Sequence, residues 1–313
     1  MTRRLREFIL EAVLVAMCIG LAFTARGFLS SENLLNVLRN VSMQGMIAFG
    51  MTMVIIAGEI DLSVGSAVAF AGCLTAWLAP RLGLPMAAAI PVSILVSLLT
   101  GIAAGSISGV LRVRFGVPTF ITTLAWLTVL RGASGLITDG FPLSTFPAWY
   151  SFFGGGHIWN IPVPAIIFVM VFLIIQFIMN NTTFGRAIYA VGGNAEASRL
   201  SGINVPLVKI GVMAIVSGLA VLAGIMQSSQ IMAGSPTTAQ GWELDVIAAV
   251  IIGGTSLMGG AGRVWGTMIG VIFLGVLVNG MTLLNISEYW QQVVRGVLIL
   301  GAVLMNVAQS SRR

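Results

Sequence analysis

Long apolar runs recur along almost the whole chain, separated by short polar joints. A helix needs about 20 apolar residues to cross the hydrocarbon core. On that measure the pattern predicts about ten spans, near residues 8–25, 41–57, 64–79, 85–111, 118–137, 161–180, 206–228, 244–258, 263–284 and 288–307. Two places interrupt it. "GEIDLSVG" (Gly58–Gly65) leaves a short apolar piece on either side, and "GGTSLMGGAG" (Gly253–Gly262) does the same within 244–284. The predicted fold class is all-α: a polytopic transmembrane helical bundle, one domain over residues 1–313.

Composition agrees. The chain is 57% hydrophobic and 8% charged, with a mean hydropathy of +1.00, whereas soluble domains carry about 25% charged residues. Charge then orients the bundle. With a cytoplasmic N-terminus, Arg3, Arg4, Arg6, Arg112, Arg114, Arg186, Arg199, Lys209, Arg263, Arg312 and Arg313 fall inside. Only Arg26, Arg39 and Arg81 fall outside, and Arg131 and Arg295 lie within spans. This positive-inside bias predicts an even number of spans and two cytoplasmic termini. The basic N-terminal stretch superficially resembles a signal peptide, but its charges fit a retained first span. Scattered basic residues give no nucleic-acid signature. Cys18 and Cys73 lie in apolar runs and the single His157 in a loop, so no disulfide framework or metal site is expected.

Several joints carry local signals. In "SENLLNVLRNVSMQ", Ser31 suits a cap and Leu34, Leu35, Leu38 and Val41 share one face. This reads either as a short interfacial helix or as an extension of the second span. The loop 138–160 is rich in Pro, Gly and aromatics. It predicts a folded cap, with Trp149, Tyr150 and Trp159 in an aromatic belt. Gly101, Gly105 and Gly109 recur every fourth residue, with Gly266, Gly270 and Gly275 in a second stripe; both predict close helix packing.

Candidate chemistry is sparse. Glu59 and Asp61 are acids in an apolar setting, where ionisable groups are functional candidates. Asp61, helped by Ser63, is placed to cap the following helix. The second break offers Gly254 and Thr255, and Asn279 is an amide within a span. Glu59, Asp61, Ser63, Gly254, Thr255 and Asn279 are the candidate translocation-path residues. Glu243 and Asp245 precede an apolar run and suit the start of a helix. No nucleophile elbow or phosphate loop accompanies any of these acids, so no catalytic residue is expected.

The most distinctive polar segment is the connector "TTFGRAIYAVGGNAEASRLSGINVPLVK", Thr182–Lys209. Asn194 is a good N-cap, Glu196 suits a first turn, Arg199 a last turn, and Gly202 a helix end. Gly192 and Gly193 supply flexibility before it. A capped helix on the basic side reads as a docking element. The chain has no GxxxxGK[ST] phosphate loop, so ATP-driven work would require another subunit.

Three blocks, "GMTMVIIAGEIDLSVGS", "GRAIYAVGGNAEASRLSGINV" and "GWELDVIAAVIIGGTSLMGGAGRVWGTMIG", resemble in order and spacing those of the ribose-type permeases of bacterial ATP-binding-cassette importers, which serve monosaccharides and small polyols. The resemblance implies a multi-pass inner-membrane permease that pairs with a second copy or a paralogue. It implies a cytoplasmic ATPase that binds ATP and Mg, a periplasmic sugar-binding protein, and no cofactor in this chain. It assigns ATPase docking to Asn194, Glu196, Ala197, Ser198, Arg199, Leu200 and Gly202, within a coupling loop of about 182–205. A small residue stands in that pattern where this chain has Glu59, which weakens the transfer of ribose specificity. The competing class is a proton-coupled secondary transporter using Glu59 and Asp61.

Overall fold

A computed structural model describes residues 9–310; the basic residues expected at the two termini lie outside them. The described chain is helical almost throughout: α1 (Ile9–Thr24), α2 (Ser31–Ile56), α3 (Val64–Leu78), α4 (Met86–Phe115), α5 (Thr119–Thr138), the one-turn α6 (Phe152–Gly155), α7 (Val163–Asn181), α8 (Thr183–Gly193), α9 (Ala195–Leu200), α10 (Val205–Ile231), α11 (Trp242–Ile252), α12 (Val264–Leu283) and α13 (Glu288–Ser310). A two-residue hairpin, β1 (His157–Ile158) with β2 (Ile161–Pro162), precedes α7.

Among the described residues, five helices are long and apolar enough to cross a membrane: α4, α5, α7, α10 and α12. The apolar part of α1 is shorter. α2 forms the centre of the bundle. Its second half, from Val41 onward, is almost wholly buried, and it packs against α10, α12, α7 and α11. Phe49 stacks on Phe168 of α7 with ring centroids 5.1 Å apart.

The glycine stripe of α4 is a packing surface. α4 lies along α10, and a Cβ on Gly101, Gly105 or Gly109 would collide with Val221, with the Met213 carbonyl or with the Ile210 backbone. The bare stripe lets the two backbones approach where side chains would hold them apart.

Several expectations need correction. Of the two readings of the stretch before the second span, the extension holds: Ser31–Ile56 is one continuous helix, but its N-cap is Ser30 rather than Ser31, its side chain accepting from the Asn33 N–H. Tyr150 is not in a belt at the bundle surface but fully buried, its hydroxyl within hydrogen-bond distance of the Ile225 carbonyl (3.1 Å) and the Ser228 hydroxyl (2.9 Å). Trp159, in contrast, is 94% exposed. Gly192 and Gly193 are not a flexible lead-in; they form the end of α8.

The largest difference concerns 244–258. α11 has 11 residues, about 16 Å at the α-helical rise, against a hydrocarbon core of about 30 Å. The irregular chain before it runs inside the bundle along α3: Gly234 packs on Gly72 and Cys73, and the Ala239 carbonyl lies 2.6 Å from where a Gly65 Cβ would stand. Non-helical backbone at such depth survives only when protein satisfies it. Arg131 does so, donating to the Pro236 and Thr238 carbonyls at 2.7 Å each. Residues 143 and 234 close a backbone bridge. α3, with 15 residues, is likewise short of a full crossing.

Candidate functional site

Both helix breaks and the connector meet at one end of the bundle. α2 ends at Ile56, and the chain turns through Gly58 at φ +78°. From there the acids part company. Glu59 turns toward the start of α5 and the two flanking helices. Its Oε1 accepts from Arg112 Nε at 2.8 Å and from Lys209 Nζ, and its Oε2 accepts from the Thr119 hydroxyl at 2.8 Å. Arg112 lies in the last turn of α4, where Gly116 at φ +68° ends the helix. Lys209 lies in the first turns of α10, directly after the connector. One carboxylate therefore ties together three helix ends and a break. Burial pushes this carboxyl up, but the bonds from Arg112 and Lys209, the Lys209 charge and the Thr119 bond outweigh it and hold it below the usual carboxylate range.

Asp61 has different partners and is fully buried. Its Oδ1 accepts from the Ser63 N–H at 2.7 Å and the Ser63 hydroxyl at 2.6 Å. That is an Asx turn two residues long, not the expected helix cap: α3 starts after Ser63 without a side-chain cap bond. The reason is local. Its own turn takes up Oδ1, so the carboxylate does not reach the first free amides of α3. Burial pushes the Asp61 carboxyl up, against the Ser63 bonds.

The second break lies beside the first. The Gly260 N–H donates to the Ile56 carbonyl at 2.8 Å, and Gly192 of α8 packs directly on that same carbonyl. Tyr189 of α8 donates to the Gly262 carbonyl at 3.0 Å. Thr255 is buried in this turn, and Gly254 takes φ +87°. The connector is therefore two helices rather than one, and its first helix is wedged against both breaks.

α9 projects from that wedge. The Asn194 side chain accepts from the Ala197 N–H at 2.9 Å, as the sequence expected of a cap, and Gly202 ends the segment at φ +83°. Glu196 and Arg199 form an exposed pair. The Arg199 hydrogen bond, then its charge, lowers the Glu196 carboxyl. Asn194, Glu196, Ala197, Arg199, Leu200 and Gly202 are all exposed, while Ser198 is buried. Leu200 is 75% exposed, an apolar side chain at the tip of a polar helix.

Asn279 stands apart, at the opposite end of the bundle. It forms a reciprocal amide pair with Asn33 of α2, at 3.0 and 2.7 Å. Asp245 also meets a partner that the sequence reading missed: Arg295 Nη1 contacts both its oxygens, at 3.0 and 2.8 Å. Arg112 and Lys209 were missed in the same way. Their one sequence signal is rarity, since Lys209 is the sole lysine.

A helical bundle with interrupted spans and a capped helix projecting from its breaks has the features of a transport permease. Residues 33–303 match the family model described as "Branched-chain amino acid transport system / permease component", and the chain belongs to that family. It is 42% identical over 305 residues to the ribose import permease of Haemophilus influenzae, covering 96% of this chain and 92% of that one. It is 43% identical over 287 residues to the ribose import permease of Bacillus subtilis, covering 91% and 87%. The xylose transport system permease of Escherichia coli K12 is 34% identical over 370 residues, covering 98% and 93%. No solved structure matches. The chain is thus the permease component of an ATP-binding-cassette importer and a multi-pass protein of the bacterial inner membrane.

Proposed function

We propose that this chain moves a monosaccharide or related small polyol into the cytoplasm by alternating access, driven by a separate ATPase that docks on α9. The chain would work as a pair with a second copy or a paralogue, receive its sugar from a periplasmic binding protein, and leave ATP and Mg to the ATPase. The relatives named for ribose and xylose support the substrate class. Ten membrane passages with both termini in the cytoplasm fit the charge pattern, with α3 and α11 as shortened passages. The connector end is then the cytoplasmic end, as the gathering of Arg112, Arg199 and Lys209 there supports.

The observation that carries the mechanism is the meeting of α8 with both breaks at the Ile56 carbonyl. A push on α9 is passed through α8 to the ends of α2 and α11, and through Lys209 to Glu59. Breaks are where a helix bends at least cost, because their backbone bonds are already rearranged. Glu59 itself is poorly suited to carry protons, since two cations favour its ionised form throughout the physiological range.

The test is uptake by proteoliposomes holding this chain, its ATPase and its binding protein. Labelled D-ribose or D-xylose should accumulate with ATP and not with a non-hydrolysable analogue. Accumulation driven by a proton gradient without ATP would contradict the proposal.

A further inference from the structure

A cavity of about 630 Å³ lies at the end of the bundle opposite the connector, between α2, α10, α11, α12 and α13. That volume falls in the roughly 300–1,000 Å³ range of small-molecule sites. Its lining is unusual for a chain so poor in polar groups. Asn40 and Gln44 stand four apart on α2, and Gln227 and Gln230 stand three apart on α10, so each pair shares one helix face. Gln44 stands beside Asp245 in the cavity wall. Among the described residues, the side chains of Asn40, Gln227 and Gln230 make no hydrogen bond to the rest of the chain. Gln227 and Gln230 are half-buried and Asn40 is exposed, so their donors and acceptors are open to a hydrogen-bonding occupant of the cavity.

The chemistry of that occupant follows from the rest of the wall. Asp245 and Arg295 are paired with each other, so the lining offers no uncompensated charge to an anion or a cation. Each amide supplies both a donor and an acceptor, which matches a hydroxyl's own two roles. Trp242, at the start of α11, supplies an aromatic face for the apolar face of a sugar ring.

We infer that this cavity is a monosaccharide-binding subsite of the permease, in which Gln227, Gln230 and Asn40 hold the hydroxyls of a neutral polyol against Trp242. The inference rests on the reading of the chain as a sugar permease and adds a place where the sugar pauses within one protomer.

Saturation-transfer NMR on the purified full chain in lipid nanodiscs tests it, with D-ribose, D-xylose and L-leucine as probes. Transfer to at least one sugar is expected, reduced at least fivefold in Gln230→Leu and in Trp242→Ala and kept within about twofold in Gln230→Asn. Leucine should show none. Thermal unfolding midpoints check that each variant is folded, and Gln227→Leu replaces any that is not. No transfer to either sugar, equal transfer in all variants, or transfer to leucine in place of the sugars would each overturn the subsite. The parent reading fails separately: ATP-driven sugar import that ignores Gln230 removes the subsite alone, whereas absent ATP-driven import removes the function proposed above.

Discussion

Glu59 carries the charge balance of the connector end, and its loss strands two cations. In Glu59→Ala, Lys209 and Arg112 lose their shared partner; breaking a buried pair costs on the order of 3–5 kcal/mol, moderated here because the Arg112 side chain is 33% exposed. A thermal unfolding series on the purified chain should rank wild type above Glu59→Gln and Glu59→Ala lowest. The pH dependence has a definite sign. A carboxyl held below its unfolded value of about 4.3 contributes stability fully above that value and loses it as pH falls through the folded value. The advantage of wild type over Glu59→Gln should therefore be constant above about pH 5 and shrink below about pH 4. An advantage that grows on acidification would refute the ion-pair account. Asp61 obeys a different rule. Its Oδ1 accepts two bonds within a turn, a role that an amide oxygen can fill, and burial favours its neutral form. Asp61→Asn should keep expression and import near wild type, while Asp61→Ala should lose both. Equal, severe loss in the two variants would show that the charge itself is required.

At the scale of elements, the connector is stiff where it touches the breaks and capped where it leaves them. Removing the Asn194 cap should cost about 1 kcal/mol. In hydrogen exchange of the assembled permease, the Ala197 amide of Asn194→Ala should then open about fivefold more readily, with α10 unaffected. Unchanged protection would mean that α9 is held by something other than its cap. This element was legible in the sequence because caps are local: Asn194, Glu196, Arg199 and Gly202 lie within nine positions. The wedge was not. Gly192 and Gly193 suggest flexibility when read singly, and only the Ile56 carbonyl lying against Gly192 shows why a side chain is excluded there. α11 was misjudged for a related reason. The apolar run at 244–258 has the composition of a span, but hydropathy does not reveal that the chain from Ala233 to Gly241 already descends inside the bundle, its carbonyls satisfied by an arginine more than a hundred residues earlier.

Across the whole molecule, the all-helical membrane character could be read directly, because burial in lipid leaves its mark on every residue of a span. The ion pairs could not, since Glu59 and Lys209 are 150 positions apart and no periodicity links them. The same holds for the amide cavity, whose members come from five helices. Under the proposed function these parts would act together: the breaks bend, the wedge of α8 reaches them, and force from the ATPase enters through the exposed apolar tip at Leu200. The most direct measurement follows ATPase co-purification and ATP-driven sugar uptake together in proteoliposomes carrying wild type or Leu200→Glu. The account predicts that the variant folds and inserts normally, binds its ATPase at least tenfold more weakly, and loses uptake in proportion. Full uptake and undiminished ATPase binding in Leu200→Glu would contradict it.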